Sequence, residues 1–188
     1  MQTITLRLRL HKPTRAKERI YRELTERTTA LANNLVAAGR PKGLTSRTVG
    51  QYMPAPLPSA VVNQVIRDVT AHKRVERFRV LPPCFNNQNL RIQRAGDFWT
   101  ASFPTHTGRV RVPLATTERQ DRILEQMGKT VKQGAAKLYC KRGRWYLALS
   151  VTVPAAPCAG ERVAGVDMGL RYLAVVNCEG ETLFFKGN

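Results

Sequence analysis

At 188 residues, with 43% apolar and 7% aromatic content, the chain can bury a core and is too apolar for a disordered tail. Thirty-one Lys and Arg against thirteen Asp and Glu leave a formal charge of +18, a field that draws polyanions and nucleic acid first among them. No apolar run approaches the roughly 18 to 20 residues of a transmembrane helix, and the N-terminus lacks the continuous core of a signal peptide. A soluble cytoplasmic protein with no membrane partner is the expectation.

Residues Thr3 to Leu10 read as a strand, with Ile4, Leu6, Leu8 and Leu10 on one face and Thr5, Arg7 and Arg9 on the other. His11-Lys12-Pro13 breaks it. Thr14 then offers an N-cap for a helix to about Ala38, with Ile20, Leu24, Thr28, Leu31 and Leu35 on its apolar stripe and Gly39 to stop it. Arg15, Lys17, Arg19, Arg22 and Arg27 occupy its polar face. The stretch from Pro41 to Pro58 is a connector with one short helical turn around Ser46 to Tyr52. A second helix is predicted from Ser59 to Arg77, its stripe of Val62, Val65, Ile66 and Val69 facing the first and Arg67, Lys73, Arg74 and Arg77 pointing outward.

From there the period changes to two. Asn89 to Arg94, Phe98 to Phe103 and Arg109 to Leu114 are short strands separated by turns at Ala95-Gly96-Asp97 and Thr105-His-Thr-Gly108. A brief helix fits Thr117 to Met127. Ala135 to Cys140 and Trp145 to Val153 form a hairpin across Lys141-Arg-Gly-Arg144, with Trp145, Leu147, Leu149, Val151 and Val153 on one side. Pro154-Ala-Ala-Pro157 is a linker. Because a lone strand is not stable, the first should pair with the later ones, which makes the helices an insertion in a β-barrel and the fold class α+β.

The last strand, Val163 to Asp167, is apolar but for a single acid, and a hairpin of Tyr172 to Asn177 and Thr182 to Lys186 follows it across Glu179-Gly180. A carboxylate buried in such a run needs a charged partner, and a divalent cation is the commonest. The four cysteines, Cys84, Cys140, Cys158 and Cys178, form no C-x-x-C pair, which argues against a zinc site within this chain and for free thiols in a reducing compartment.

Three segments together carry a resemblance. They are the hairpin from Val131 to Val153, the Pro-rich spacer, and Gly165-Val-Asp-Met-Gly-Leu-Arg-Tyr-Leu-Ala-Val-Val176. This succession resembles the TnpB (OrfB) proteins of insertion sequences, which are related to type V CRISPR effector nucleases. Leu57 to Ile66 and the basic first strand also look like that family. The resemblance implies a wedge-type β-barrel (residues 1–12 and 78–154), an inserted helical recognition unit (13–77) and the first strands of a RuvC/RNase H-like nuclease domain (155–188). It implies guide RNA and target DNA as partners, and Mg²⁺ as the cofactor of DNA cleavage. Asp167 matches the first RuvC acid, hence both a catalytic residue and a metal ligand. The family's remaining Glu and Asp, and its zinc-ribbon cysteines, are expected beyond Asn188. Glu161 precedes the strand and Glu179 and Glu181 flank a turn, so cleavage by this chain alone is not expected. The missing C-terminal half or an intact homologue would supply the rest.

Within that reading Arg7, Arg9, Arg15, Arg19, Arg22, Lys73, Arg74 and Arg77 are the candidate phosphate contacts, which set affinity and register while base pairing supplies sequence. Tyr52, Phe85 and Trp99 are candidates for stacking on bases, although strand spacing favours the core for Trp99 and Trp145. Asn86 to Asn89 reads as a loop bonded to its own backbone. Two alternatives stand beside this reading. An actin-like ATPase fragment would use Asp167-Met168-Gly169 as the start of a phosphate loop. In an architectural RNA-binding protein, Asp167 would be only a turn acid.

Overall fold

Leu6, Leu8 and Leu10 alternate with Thr5, Arg7 and Arg9 along β1 (Gln2–Leu10), and the alternation decides the inward face: the leucines are buried and the polar residues exposed. A computed structural model describes residues 1–155, 164–169 and 171–186. The chain divides into two units, Met1–Pro154 and Ala155–Asn188.

In the first unit, α1 (Arg15–Ala37) begins where the Thr14 hydroxyl accepts the Lys17 N–H at 3.3 Å. Its buried stripe is Tyr21, Leu24, Thr28, Leu31, Ala32 and Leu35, so Tyr21 and not Ile20 opens the core face. It ends at Gly39 and Arg40, both with positive φ, and the Arg40 N–H closes on the Leu35 carbonyl at 2.8 Å. A single 3-10 turn, Gly50–Tyr52, lies in the connector.

The second helix, α2 (Ser59–Ala71), buries Val61, Val62, Val65 and Val69 and stops at Ala71, short of the expected Arg77. The cause is long-range. Asn33 of α1 binds the Phe78 backbone in both directions, Nδ2 to the carbonyl at 3.1 Å and Oδ1 from the N–H at 2.8 Å, and the Arg40 guanidinium holds the Val75 carbonyl. Lys73, Arg74 and Arg77 therefore lie on a non-helical segment strapped across α1.

The sheet continues with β2 (Cys84–Phe85), β3 (Arg91–Ala95), β4 (Phe98–Thr105) and β5 (Gly108–Ala115). After α3 (Glu118–Glu125), whose Thr117 and Gln120 form a reciprocal capping box, come β6 (Lys132–Lys141) and β7 (Arg144–Val153). All pairs are antiparallel, in the order β2-β6-β7-β1-β5-β4-β3. As expected, the first strand is a central member, paired with β7 from Gln2–Val153 to Arg9–Tyr146.

This order dictates curvature. The edge strands β2 and β3 are joined directly through Asn86–Leu90. Six strand spacings of about 4.8 Å would separate them by about 29 Å in a flat sheet. A fully extended connection from Phe85 to Arg91 reaches at most about 22 Å. The sheet must curl, and it forms an antiparallel half-barrel. Side chains bridge its lips: Gln133 Nε2 donates to the Leu90 carbonyl at 2.9 Å, and an Arg109 guanidinium N–H donates to the Asn89 carbonyl at 2.9 Å. A bulge between Gln133 and Ala136 sharpens the bend. A Cβ on Gly134 there would lie 3.0 Å from the Ser150 carbonyl oxygen, so the bulge favours glycine.

Inside the curl lie Leu8, Ala101, Phe103, Val112, Leu138, Leu147 and Val151, all fully buried. Helix α1 closes this core with Tyr21, whose ring meets Trp145 edge-on at 5.3 Å and Phe103 at 5.7 Å. Phe85 stacks on Phe103 at 4.8 Å and is wholly buried, so it is core and cannot stack on a base. Trp99 is likewise buried, whereas Tyr52 packs partly against the core.

In the second unit, β8 (Ala164–Asp167), β9 (Ala174–Cys178) and β10 (Glu181–Phe185) form an antiparallel sheet in the order β10-β9-β8. The β9–β10 loop is Glu179-Gly180, both at positive φ as a type I′ turn requires. The expected burial of the Asp167 strand is not found. All four β8 residues are exposed, with Val166 at 63%, and the described residues of this unit form one three-stranded sheet. Val163, Cys158 and Glu161 lie outside the described residues.

Candidate nucleic-acid interface

The inward side of the β6–β7 hairpin is apolar, and its outward side is the opposite in character. Strand alternation puts Lys137, Tyr139 and Lys141 of β6 and Arg144, Tyr146, Ala148 and Ser150 of β7 on one outer face. Register then adds β1: Lys137, Ala148 and Arg7 form one row, and Tyr139, Tyr146 and Arg9 the next. The two tyrosine rings stack with centroids 5.5 Å apart and planes 21° from parallel. Arg142 and Gly143, both at positive φ, make the two-residue I′ turn that carries this face out beyond Lys141 and Arg144. No Asp or Glu occurs anywhere in β1, β6 or β7.

Five cations thus surround a stacked aromatic pair on a sheet with no opposing charge. Such a surface offers what a nucleic-acid strand needs, point charges for phosphate and π-faces for bases. The backbone beneath it is braced on the β5 side of β1, where strand pairing covers only Arg9 and Leu10, because Gln120 of α3 donates from Nε2 to the Arg7 carbonyl at 3.0 Å.

Of the residues singled out from sequence, Arg7 and Arg9 belong to this face. Arg15, Arg19 and Arg22 run along α1, where Arg19 reaches Glu23 at only 3.9 Å and stays 75% exposed. Lys73, Arg74 and Arg77 sit on the strapped segment after α2, and all are exposed. Arg22 and Arg77 meet at one cleft, so the eight are distributed over distinct surfaces of the first unit. Lys137, Tyr139, Lys141, Arg144 and Tyr146 were missed, although Lys-x-Tyr-x-Lys facing Arg-x-Tyr across a Gly-containing turn is the signal that marks them. Asn86 Oδ1 accepts from the Asn89 N–H at 3.1 Å and from its Nδ2 at 2.6 Å, so that loop is bonded to itself.

Asp167 ends β8 in an exposed position. Among the described residues no group of three or more His, Cys, Asp and Glu is placed to hold a metal ion. The described residues therefore do not by themselves fit a magnesium centre, and no cleavage step follows from them. Among the described residues no helix is long and apolar enough to cross a membrane.

Two solved structures share the architecture. One is a cryo-EM structure of a CRISPR-Cas12f ternary complex, with a TM-score of 0.55 and 12% identity over 92% of this chain and 49% of that one. The other is a cryo-EM structure of the Cas12f1-sgRNA-target DNA complex, with a TM-score of 0.59 and 13% identity over 93% of this chain and 51% of that one. The fold is similar to that of Cas12f. The chain spans about half the length of each Cas12f chain it matches. No model of a known protein family matches the chain, and no curated protein does.

Proposed function

We propose that this chain is the nucleic-acid-binding N-terminal portion of a TnpB-type, insertion-sequence-associated RNA-guided DNA endonuclease, related to the type V effectors, that binds guide RNA and target DNA. The observation that carries the reading is the acid-free sheet face of Arg7, Arg9, Lys137, Lys141 and Arg144 around the Tyr139–Tyr146 stack. The Cas12f1 complex of similar fold holds an sgRNA and target DNA, which supports the same partner class here. In this reading residues 1–12 and 78–154 are the wedge, 13–77 the inserted recognition unit and 155–188 the start of a RuvC-like domain. Arg15, Arg19, Arg22, Lys73, Arg74 and Arg77 add phosphate contacts beyond the sheet. Asp167 is the first acid of a magnesium site whose other ligands come from elsewhere, either a C-terminal half or an intact homologue. A cytoplasmic location accompanies this reading.

The test is anisotropy with a structured RNA carrying a single-stranded tail. Tight binding that weakens steeply with salt is expected; affinity indifferent to salt would overturn the reading. Magnesium-dependent cleavage by the purified chain that Asp167→Ala abolishes would overturn the assignment of the other metal ligands to another segment or chain. A second reading, an architectural RNA-binding protein, is favoured by the exposure of Asp167 with no metal-binding cluster among the described residues. Unchanged Mg²⁺ binding in Asp167→Ala, measured with the C-terminal half of an intact homologue present, would select it.

A further inference from the structure

The inner side of the same hairpin borders an open cleft of about 870 Å³, walled also by α1 and the strapped segment after α2. That volume is in the range of sites that enclose a small organic ligand. Leu138, Trp145, Phe78 and Val80 supply apolar walls, while Arg22 of α1 and Arg77 and Arg79 of the segment bring three guanidinium groups. Glu26 is the one acid in the lining.

The cleft is held open by the fold. Asn33 fixes the Phe78 backbone from both sides, the Thr29 hydroxyl accepts the Leu81 N–H at 2.9 Å, and the Leu138 N–H donates to the Pro83 carbonyl at 2.9 Å. The segment is thus tied to α1 at one end and to β6 at the other. A ligand entering there pays little to order it.

We infer that this cleft receives one unstacked nucleotide of the strand that lies on the Tyr139–Tyr146 face. A base offers two flat apolar faces and its phosphate an anion, which matches apolar walls with three arginines. Continuity supports the same occupant. Tyr139 of the outer face also borders the cleft, beside Cys140, the next residue of β6, which pairs with Trp145 across the hairpin. Strand β2 pairs with β6 only at Lys137 and Ala136, so β2 does not extend over the β6 edge at Cys140 and a bound strand can turn over it there. This inference rests on the nucleic-acid reading above and adds a second site to it.

Cys140 is an exposed free thiol and serves as the reporter, with buried Cys84 as internal reference. Alkylation by iodoacetamide is followed by peptide mass spectrometry with two probes, an oligouridylate and a blunt RNA duplex of equal length, while anisotropy records binding of each. At about ten times its dissociation constant the oligouridylate should slow Cys140 alkylation about tenfold, in step with the free fraction of protein. The duplex should bind without protecting, because its bases stay stacked. Val80→Glu, at a position 59% exposed and so safe for folding, should return alkylation to the free rate while the oligouridylate still binds. If the oligouridylate binds and Cys140 reacts at its free rate, or if the duplex protects equally, the inference fails and the function stands. If neither probe binds by anisotropy, both fall together.

Discussion

Tyr139 and Tyr146 stack directly across the β6–β7 hairpin, and Arg9 continues their row onto β1. Each ring can present its free face to a base, and the pairing holds both in place before a strand arrives.

Replacing Tyr146 with Ala should therefore weaken single-stranded RNA binding by about 1 to 3 kcal/mol, the usual worth of one base–aromatic stack. Tyr146→Phe keeps the ring and should bind as the parent does. Fluorescence anisotropy on both variants decides it. Equal losses for Ala and Phe would assign the effect to the hydroxyl and remove stacking from the account.

Arg7 and Arg9 act differently, through charge. Changing both to Gln should lower the slope of log affinity against log salt by about 1.4 for single strands, about 0.7 for each phosphate no longer neutralised. The weakening should be the same for different sequences, because phosphates carry no base identity. A slope unchanged by the double substitution would take these residues out of the interface.

Asn33 ties α1 to a segment 45 residues away in sequence. Asn33→Ala leaves the Phe78 N–H and carbonyl without that partner, which should cost about 1 to 3 kcal/mol in chemical denaturation. Hydrogen exchange should rise selectively in the segment from Lys73 to Pro82. Uniform exchange across the unit would show that the tie is not local.

Burial raises the Tyr21 phenol well above its usual range, and nearby Glu18 adds to the effect. The unfolded tyrosine releases its proton near pH 10 while the folded one keeps it, so the folded state binds more protons there and stability falls as pH rises. Cys84 moves the same way, by burial first and Asp68 second, with Lys137 opposing, and its share of the loss begins at lower pH, where a free thiol ionises. Tyr21→Phe should flatten the alkaline limb of a stability–pH curve above about pH 10. The Tyr21 hydroxyl has no hydrogen-bond partner among the described residues, so the substitution should cost nothing at neutral pH. Thermal melts across the alkaline range provide the check.

Local signals in the sequence carried far. Thr14 as a cap, Gly39 as a stop and the Leu6-Leu8-Leu10 alternation each act within a turn or a pleat, and each is found as read. What escaped depends on partners distant in sequence. The end of α2 is set by Asn33 and Arg40, which no periodicity in residues 59–77 reveals. The interface escaped because the apolar side of the hairpin dominates its pattern, and the tyrosines become neighbours only through the cross-strand register. The apolar run ending at Asp167 looks like a buried strand, but pattern does not say what covers it, and among the described residues β8 is exposed. The curl of the barrel is legible only once the strand order is known.

The pairing of Gln2 with Val153 has a consequence for synthesis. Strand β1 leaves a ribosome long before β7, its long partner, exists. Until then Leu6, Leu8 and Leu10 remain uncovered, while the β3–β4–β5 meander, built from neighbours in sequence, can already have formed. A nascent chain stalled before β7 should accordingly engage a chaperone through β1, and release it when the hairpin emerges.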